Sequence, residues 1–147
     1  MTRKLTPVLF GLCLALSSAA AAHAEMVAHA GEWQTRNDNG PINLICEHAD
    51  HKFDRATMER MLTRPGMVCT VGDLRTAGMV TIISASCQVA GGRMTTVDTI
   101  TWRGPDAYTS HMKSHFEGGK IAIPDMDMTQ AAQRLGACKP GDRQSPY

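Results

Sequence analysis

Met79-Val80-Thr81-Ile82-Ile83-Ser84-Ala85-Ser86-Cys87-Gln88-Val89-Ala90 runs into Gly91-Gly92 and out again through Arg93-Met94-Thr95-Thr96-Val97-Asp98-Thr99-Ile100-Thr101-Trp102-Arg103. Two runs rich in β-branched residues, joined by paired glycines, have the form of a β-hairpin with a two-residue loop. With Gly91-Gly92 as the loop, Ala90 pairs with Arg93 and the register counts outward. Val89 then faces Met94, Cys87 faces Thr96, Ile83 faces Ile100 and Thr81 faces Trp102. That face is mostly apolar on both strands, so the register is self-consistent. Asp98, opposite Ala85, points the same way. A buried carboxylate needs a partner such as an arginine or the Thr96 hydroxyl, unless it contacts a ligand.

Further strands flank this hairpin. Gly31 to Arg36 reads as a strand, Asn37-Asp38-Asn39-Gly40 supplies a turn, and Pro41 to Cys46 returns. Gly72 to Gly78 reads as the turn before the central hairpin. After the turn Arg103-Gly104-Pro105-Asp106, Ala107 to Phe116 alternates, with Tyr108, Met112 and Phe116 on one face and His111, Lys113 and His115 on the other. Ile121-Ala122-Ile123 and a last extended stretch through Met126 and Met128 lead to Cys138. The polar tail from Lys139 to Tyr147 is expected to fray. One helix is expected between Asp54 and Thr63: Asp54 caps it, Phe53 staples onto Met58, Met61 and Leu62 share a face, and Pro65-Gly66 stops it. The fold class is therefore mainly β, a small antiparallel meander or partly closed barrel with one short helix and two disulfides.

The disulfides follow from the N-terminus. Arg3 and Lys4, an apolar run from Pro7 to Ala22 and the step Ala22-His23-Ala24 form the three regions of a secretory signal, giving a signal peptide over 1–24 and one domain over 25–147. An uncleaved signal anchor is the alternative, but no stop-transfer charges follow the run. Cys13 follows Leu12, which is too bulky for lipoprotein processing, so it leaves with the signal. In the oxidising periplasm or outside the cell, the remaining Cys46, Cys69, Cys87 and Cys138 pair rather than act as nucleophiles or metal ligands. Folding the chain back across the expected Gly72 to Gly78 turn brings Cys69 beside Cys87, which leaves Cys46 for Cys138.

Composition limits the partners. Of 15 basic residues against 14 acidic ones, Arg3 and Lys4 leave with the signal, and no run of like charge occurs. Nucleic acid and a stable membrane association after cleavage are disfavoured. The partner expected is an unknown small ligand or protein.

The landmarks Gly31-x-Trp33, a strand ending at Cys46, then Cys69 and Cys87, Thr101-Trp102-Arg103-Gly104 leading to Tyr108, and Arg134-Leu135-Gly136-Ala137-Cys138 resemble an exported proteobacterial family of unknown function, DUF3617. The resemblance covers nearly the whole segment after the signal and implies an exported location and the domain extent. It brings no catalytic residues. The first hairpin loop of this chain is shorter than the Met-, Gly- and Pro-rich loop expected of the family.

No Gly-x-Ser-x-Gly elbow, His-Glu-x-x-His, Cys-x-x-Cys or phosphate-binding glycine loop occurs, and Glu47-His48 reverses the order a zinc protease needs. No catalytic residue and no cofactor is assigned. His48-x-x-His51, His111-x-x-x-His115 and Met112, Met126 and Met128 are soft or borderline donors that would suit copper or zinc. On a strand His111 and His115 stand about 13 Å apart, too far to share an ion, and no metal ligand is assigned. The expected function is an exported, non-enzymatic binding or structural domain, with a periplasmic copper or zinc binding protein as the alternative. N-terminal sequencing of the exported product is expected to begin at Glu25, and a membrane-bound product retaining Met1 to Ala24 would overturn that reading.

Overall fold

Alternation of apolar and polar residues becomes a single large sheet. The computed structural model describes residues 26–145 apart from Asn39, Ala90, Lys120 and Ile121, so the signal segment lies outside the described residues. Seven strands, β2 (Gly31–Asn37), β3 (Ile42–Glu47), β5 (Met67–Ala77), β6 (Val80–Val89), β7 (Gly92–Trp102), β8 (Ala107–Gly118) and β9 (Met126–Gly136), pair antiparallel in the order β3-β2-β9-β8-β7-β6-β5. Strands β5 to β9 are a meander, and the β2–β3 hairpin joins it alongside β9. The sheet is open, with β3 and β5 at its edges. Two-residue strands β1 (Val27–Ala28) and β4 (His51–Lys52) form a separate ribbon.

The central hairpin turns one residue earlier than expected. Val89 pairs with Gly92, so Cys87 faces Met94, Ala85 faces Thr96, Ile83 faces Asp98 and Thr81 faces Ile100. Gly91 takes a φ of +74°, a conformation that costs glycine little, whereas Gly92 is a strand residue. A Cβ on Gly92 would stand 2.5 Å from the Phe116 ring, so close approach of β8 is the reason for the second glycine. Moving the loop by one residue shifts each partner by two positions. Every side chain therefore keeps its expected face, and Thr81, Ile83, Ile100 and Trp102 are all buried.

The expected turn over Gly72 to Gly78 is instead the second half of β5, which breaks register between Val71 and Leu74 and continues to Ala77. The helix holds this bulge. Arg55 donates to the carbonyls of Val71 and Gly72, Glu59 accepts from the Val71 N–H at 3.2 Å, and the Ser84 hydroxyl accepts from the Asp73 N–H at 2.8 Å. Gly72-Asp73 has turn chemistry locally, but these four contacts satisfy the backbone of an interrupted edge strand. Residues 122–125 are not in a strand, and Ile121 lies outside the described residues.

Helix α1 (Arg55–Leu62) starts as its sequence requires. The Asp54 carboxylate accepts from the Thr57 N–H at 2.7 Å, and those hydrogen bonds hold its pKa below the usual range. The helix packs on β5. Phe53 joins the buried cluster of Met58, Val71, Ile83, Ile100, Trp33 and Trp102 and stands edge-on to Trp102, centroids 5.0 Å apart. Burial of one such aliphatic side chain contributes about 1.5–3 kcal/mol. Asp98, on the same sheet face, takes its hydroxyl from Ser110 at 2.7 Å rather than from Thr96, and burial raises its carboxyl above the ordinary range.

Cys46 and Cys138 lie within disulfide reach, Cα atoms 5.4 Å apart, as do Cys69 and Cys87, at 4.0 Å across β5 and β6. The last two residues of the segment expected to fray fall outside the described ones, and the rest, residues 139–145, lies along β3: the Cys46 N–H donates to the Arg143 carbonyl and the Ser145 N–H to the Cys46 carbonyl. Its first residue, Lys139, places Nζ 2.7 Å from Oε2 of Glu32, whose side chain is 2 % exposed. The cross-links close stretches of 92 and 18 residues, which chain entropy values at about 4.6 and 3.2 kcal/mol respectively. Non-reducing peptide mapping is expected to recover these two pairs, and serine at Cys46 and Cys138 should lower stability to urea more than serine at Cys69 and Cys87. A Cys46–Cys69 peptide would contradict this arrangement.

Candidate functional site

Residues on the helix-bearing face converge. Alternation in β2 turns Trp33 and Thr35 to the same side, and pairing with β3 sets Ile45 opposite Trp33 and Glu47 opposite Gly31. Tyr108 of β8 lies opposite Ala132 of β9, and Gln130 opposite Asn37. A flat seven-stranded sheet would hold its edges about 29 Å apart. Here Ile45 and Glu47 of edge strand β3 line the same cavity as Met61, whose helix rests on the opposite edge, β5. The sheet therefore coils around the helix.

The cavity measures about 320 Å³ and is lined by Ala28, Trp33, Thr35, Ile45, Glu47, His51, Phe53, Met61, Tyr108 and Gln130. Its aromatic walls are inclined to one another: Tyr108 stands 5.7 Å from Trp33 at 46° and 6.1 Å from Phe53 at 72°. The Trp33 indole N–H is used by the His29 carbonyl at 2.8 Å, which fixes the ring. The polar pole is Glu47, whose Oε2 lies 2.8 Å from Nε2 of His51, with both side chains less than one-fifth exposed. Burial pushes the Tyr108 phenol up to about 12, reinforced by the charges of Glu47 and Asp98. An apolar, aromatic cavity of this size with a few convergent polar groups is the form of a small-molecule site. Another cavity, of about 300 Å³, is lined by Met26, Val27, His29, Met79, Trp102, Gly104 and Pro105.

The candidate metal donors are not gathered. His48 lies 3.8 Å from Cys46 Sγ and contacts Gln144, whereas His51 faces Glu47 inside the cavity. His111 and His115 pair with different carboxylates, Asp127 at 2.6 Å and Asp125 at 2.7 Å. Met112, Met126 and Met128 lie on the opposite face of the sheet from these histidines, as the pairings Met112–Met128, Ser114–Met126 and His111–Thr129 require. Cys46, His48 and Cys138 have donor atoms within 4.8 Å of one another. Paired sulfurs are not thiolates, however, and thiolates are what a zinc or copper centre takes from cysteine.

Neither Glu47 with His51 nor their meeting with Trp33 and Tyr108 was assigned from sequence. One signal was available: Cys46 turns away from the cavity, toward Cys138, so alternation turns its neighbours Ile45 and Glu47 to the cavity side.

The sequence model of a family described as a protein of unknown function, DUF3617, matches residues 28–138. No curated protein and no solved structure matches the chain.

Because Tyr108 keeps its proton to about pH 12 while an unfolded phenol ionises near pH 10, the wild type is expected to lose stability as pH rises through that interval. In urea unfolding at pH 9 and pH 11, Tyr108→Phe should lose less stability than wild type between the two. An equal loss would contradict a buried, protonated phenol.

Proposed function

The chain belongs to the DUF3617 family, and on that premise we propose that it is an exported, non-enzymatic domain that binds a small molecule in the cavity between Trp33, Tyr108, Phe53 and Met61. Export rests on the signal-like segment from Arg3 to Ala24 and on four later cysteines that stand as two pairs. Binding rests on one observation. The cavity combines inclined aromatic walls with a single acid–histidine pair, Glu47 and His51, most of whose surface is withdrawn from water. A sheet folded around its helix only for stability gains from filling such space, because unfilled volume forfeits packing contacts. Withdrawing a carboxylate and an imidazole into an apolar wall also carries a desolvation cost that a purely structural role does not require.

Native mass spectrometry of protein purified from the exported fraction is expected to show a small-molecule adduct, or one formed on incubation with a metabolite library. Ile45→Trp, or the milder Ile45→Phe, should fill the cavity and abolish that adduct while the variant still unfolds cooperatively. A wild-type protein that binds nothing, alongside a more stable Ile45→Phe, would mean the cavity is a packing defect and would overturn the proposal.

A further inference from the structure

The electrical character of the cavity narrows the ligand. Among the described residues its lining includes no lysine or arginine, and the one carboxylate there is Glu47. An anionic ligand, such as a fatty acid or an organic acid, would bring a second negative charge beside Glu47 in a largely desolvated site. A neutral apolar ligand would add nothing to the His51 contact that the carboxylate already has. A cation answers both points. The walls suit one as well: Trp33, Phe53 and Tyr108 enclose the space from different directions, and an aromatic face attracts a cation within about 6 Å of its centroid. Tryptophan is the strongest of these rings, and here its N–H is already held by His29, which leaves the ring for packing and for charge. The Tyr108 proton is kept in place, so the pocket gains no second negative charge at ordinary pH.

Resting on the reading of this cavity as a ligand site, we infer that the ligand is a small organic cation of the alkylammonium class, seated against Trp33 and Tyr108 with its charge toward Glu47. Weakly hydrated quaternary or multiply alkylated ammonium groups fit best, because they surrender little hydration on entering an aromatic enclosure and need no hydrogen-bond acceptor at every proton. A primary ammonium, being strongly hydrated, fits less well.

The test uses the full exported chain with three probes of matched shape: choline, its neutral carbon analogue dimethylbutanol, and the corresponding carboxylate, dimethylbutanoate. Binding is read by quenching of tryptophan emission and by calorimetry at low and moderate salt. Choline is expected to bind about tenfold more tightly than the neutral analogue, and the carboxylate not measurably. Glu47→Gln, which keeps shape and can still meet His51, should shrink the ratio of choline to neutral affinity by about threefold. Equal or tighter binding of the neutral analogue or of the carboxylate would overturn the cationic assignment while leaving the cavity a binding site. Failure of all three, together with failure of a larger aromatic cation such as benzyltrimethylammonium, would overturn the site reading and this inference with it. A choline preference unchanged in Glu47→Gln would show the charge to be read elsewhere and would refute the role given to Glu47.

Discussion

The edge-to-face contact of Phe53 with Trp102, centroids 5.0 Å apart, joins the two halves of this architecture. Trp102 ends the central hairpin, and Phe53 immediately precedes the helix cap. An open antiparallel sheet has one face to hide, and nothing in its own ladder hides it. Here the chain between β3 and β5 folds over that face, with Phe53 against Trp102 and Tyr108 and the helix carrying Met58 and Met61 inward. Offset aromatic pairs of this kind add about 0.5–1.5 kcal/mol beyond the area they bury, but their larger effect is positional. They set how far the sheet coils, and hence how much space remains beneath β3.

The edges of the sheet are secured by different means. At β5, side chains of the helix take up the backbone groups that the bulge at Gly72-Asp73 leaves unpaired. At β3, the C-terminal segment adds a short parallel contact at Cys46 and is tied to the same residue through Cys138. Both devices deny an unpaired edge to other chains. The second also places Lys139 on Glu32, a carboxylate that would otherwise be buried without charge compensation, and the Glu32 hydrogen bond raises the lysine's pKa.

The candidate site inherits its chemistry from this arrangement. Sheet, ribbon and helix each contribute wall residues, and the acid–histidine pair comes from β3 and β4, the end of one hairpin and the start of the connector that crosses the face. Coiling brings an edge strand over the aromatic residues of central strands. The same residues on a flatter sheet would form an exposed polar edge and an unrelated apolar cluster.

By itself the sequence determined most strands of the large sheet, the helix with its Asp54 cap, and which side chains of the central hairpin share a face. The reason is that alternation of period two and capping are local. Even the misplaced loop at Gly91-Gly92 kept Thr81, Ile83, Ile100 and Trp102 on one side, because the error changed each partner by an even number of positions. The cysteine partners were legible too, since few ways exist to join four sulfurs on a meander. Tertiary structure alone decided the rest. Gly72-Asp73 became a bulge rather than a turn because Arg55 and Glu59, distant in sequence, satisfy its backbone. The tail pairs with Cys46 because β3 is an edge with backbone groups to offer. Glu47, His51, Trp33 and Tyr108 met because the sheet coils, and coiling is set by packing between residues far apart along the chain, on which local periodicity is silent.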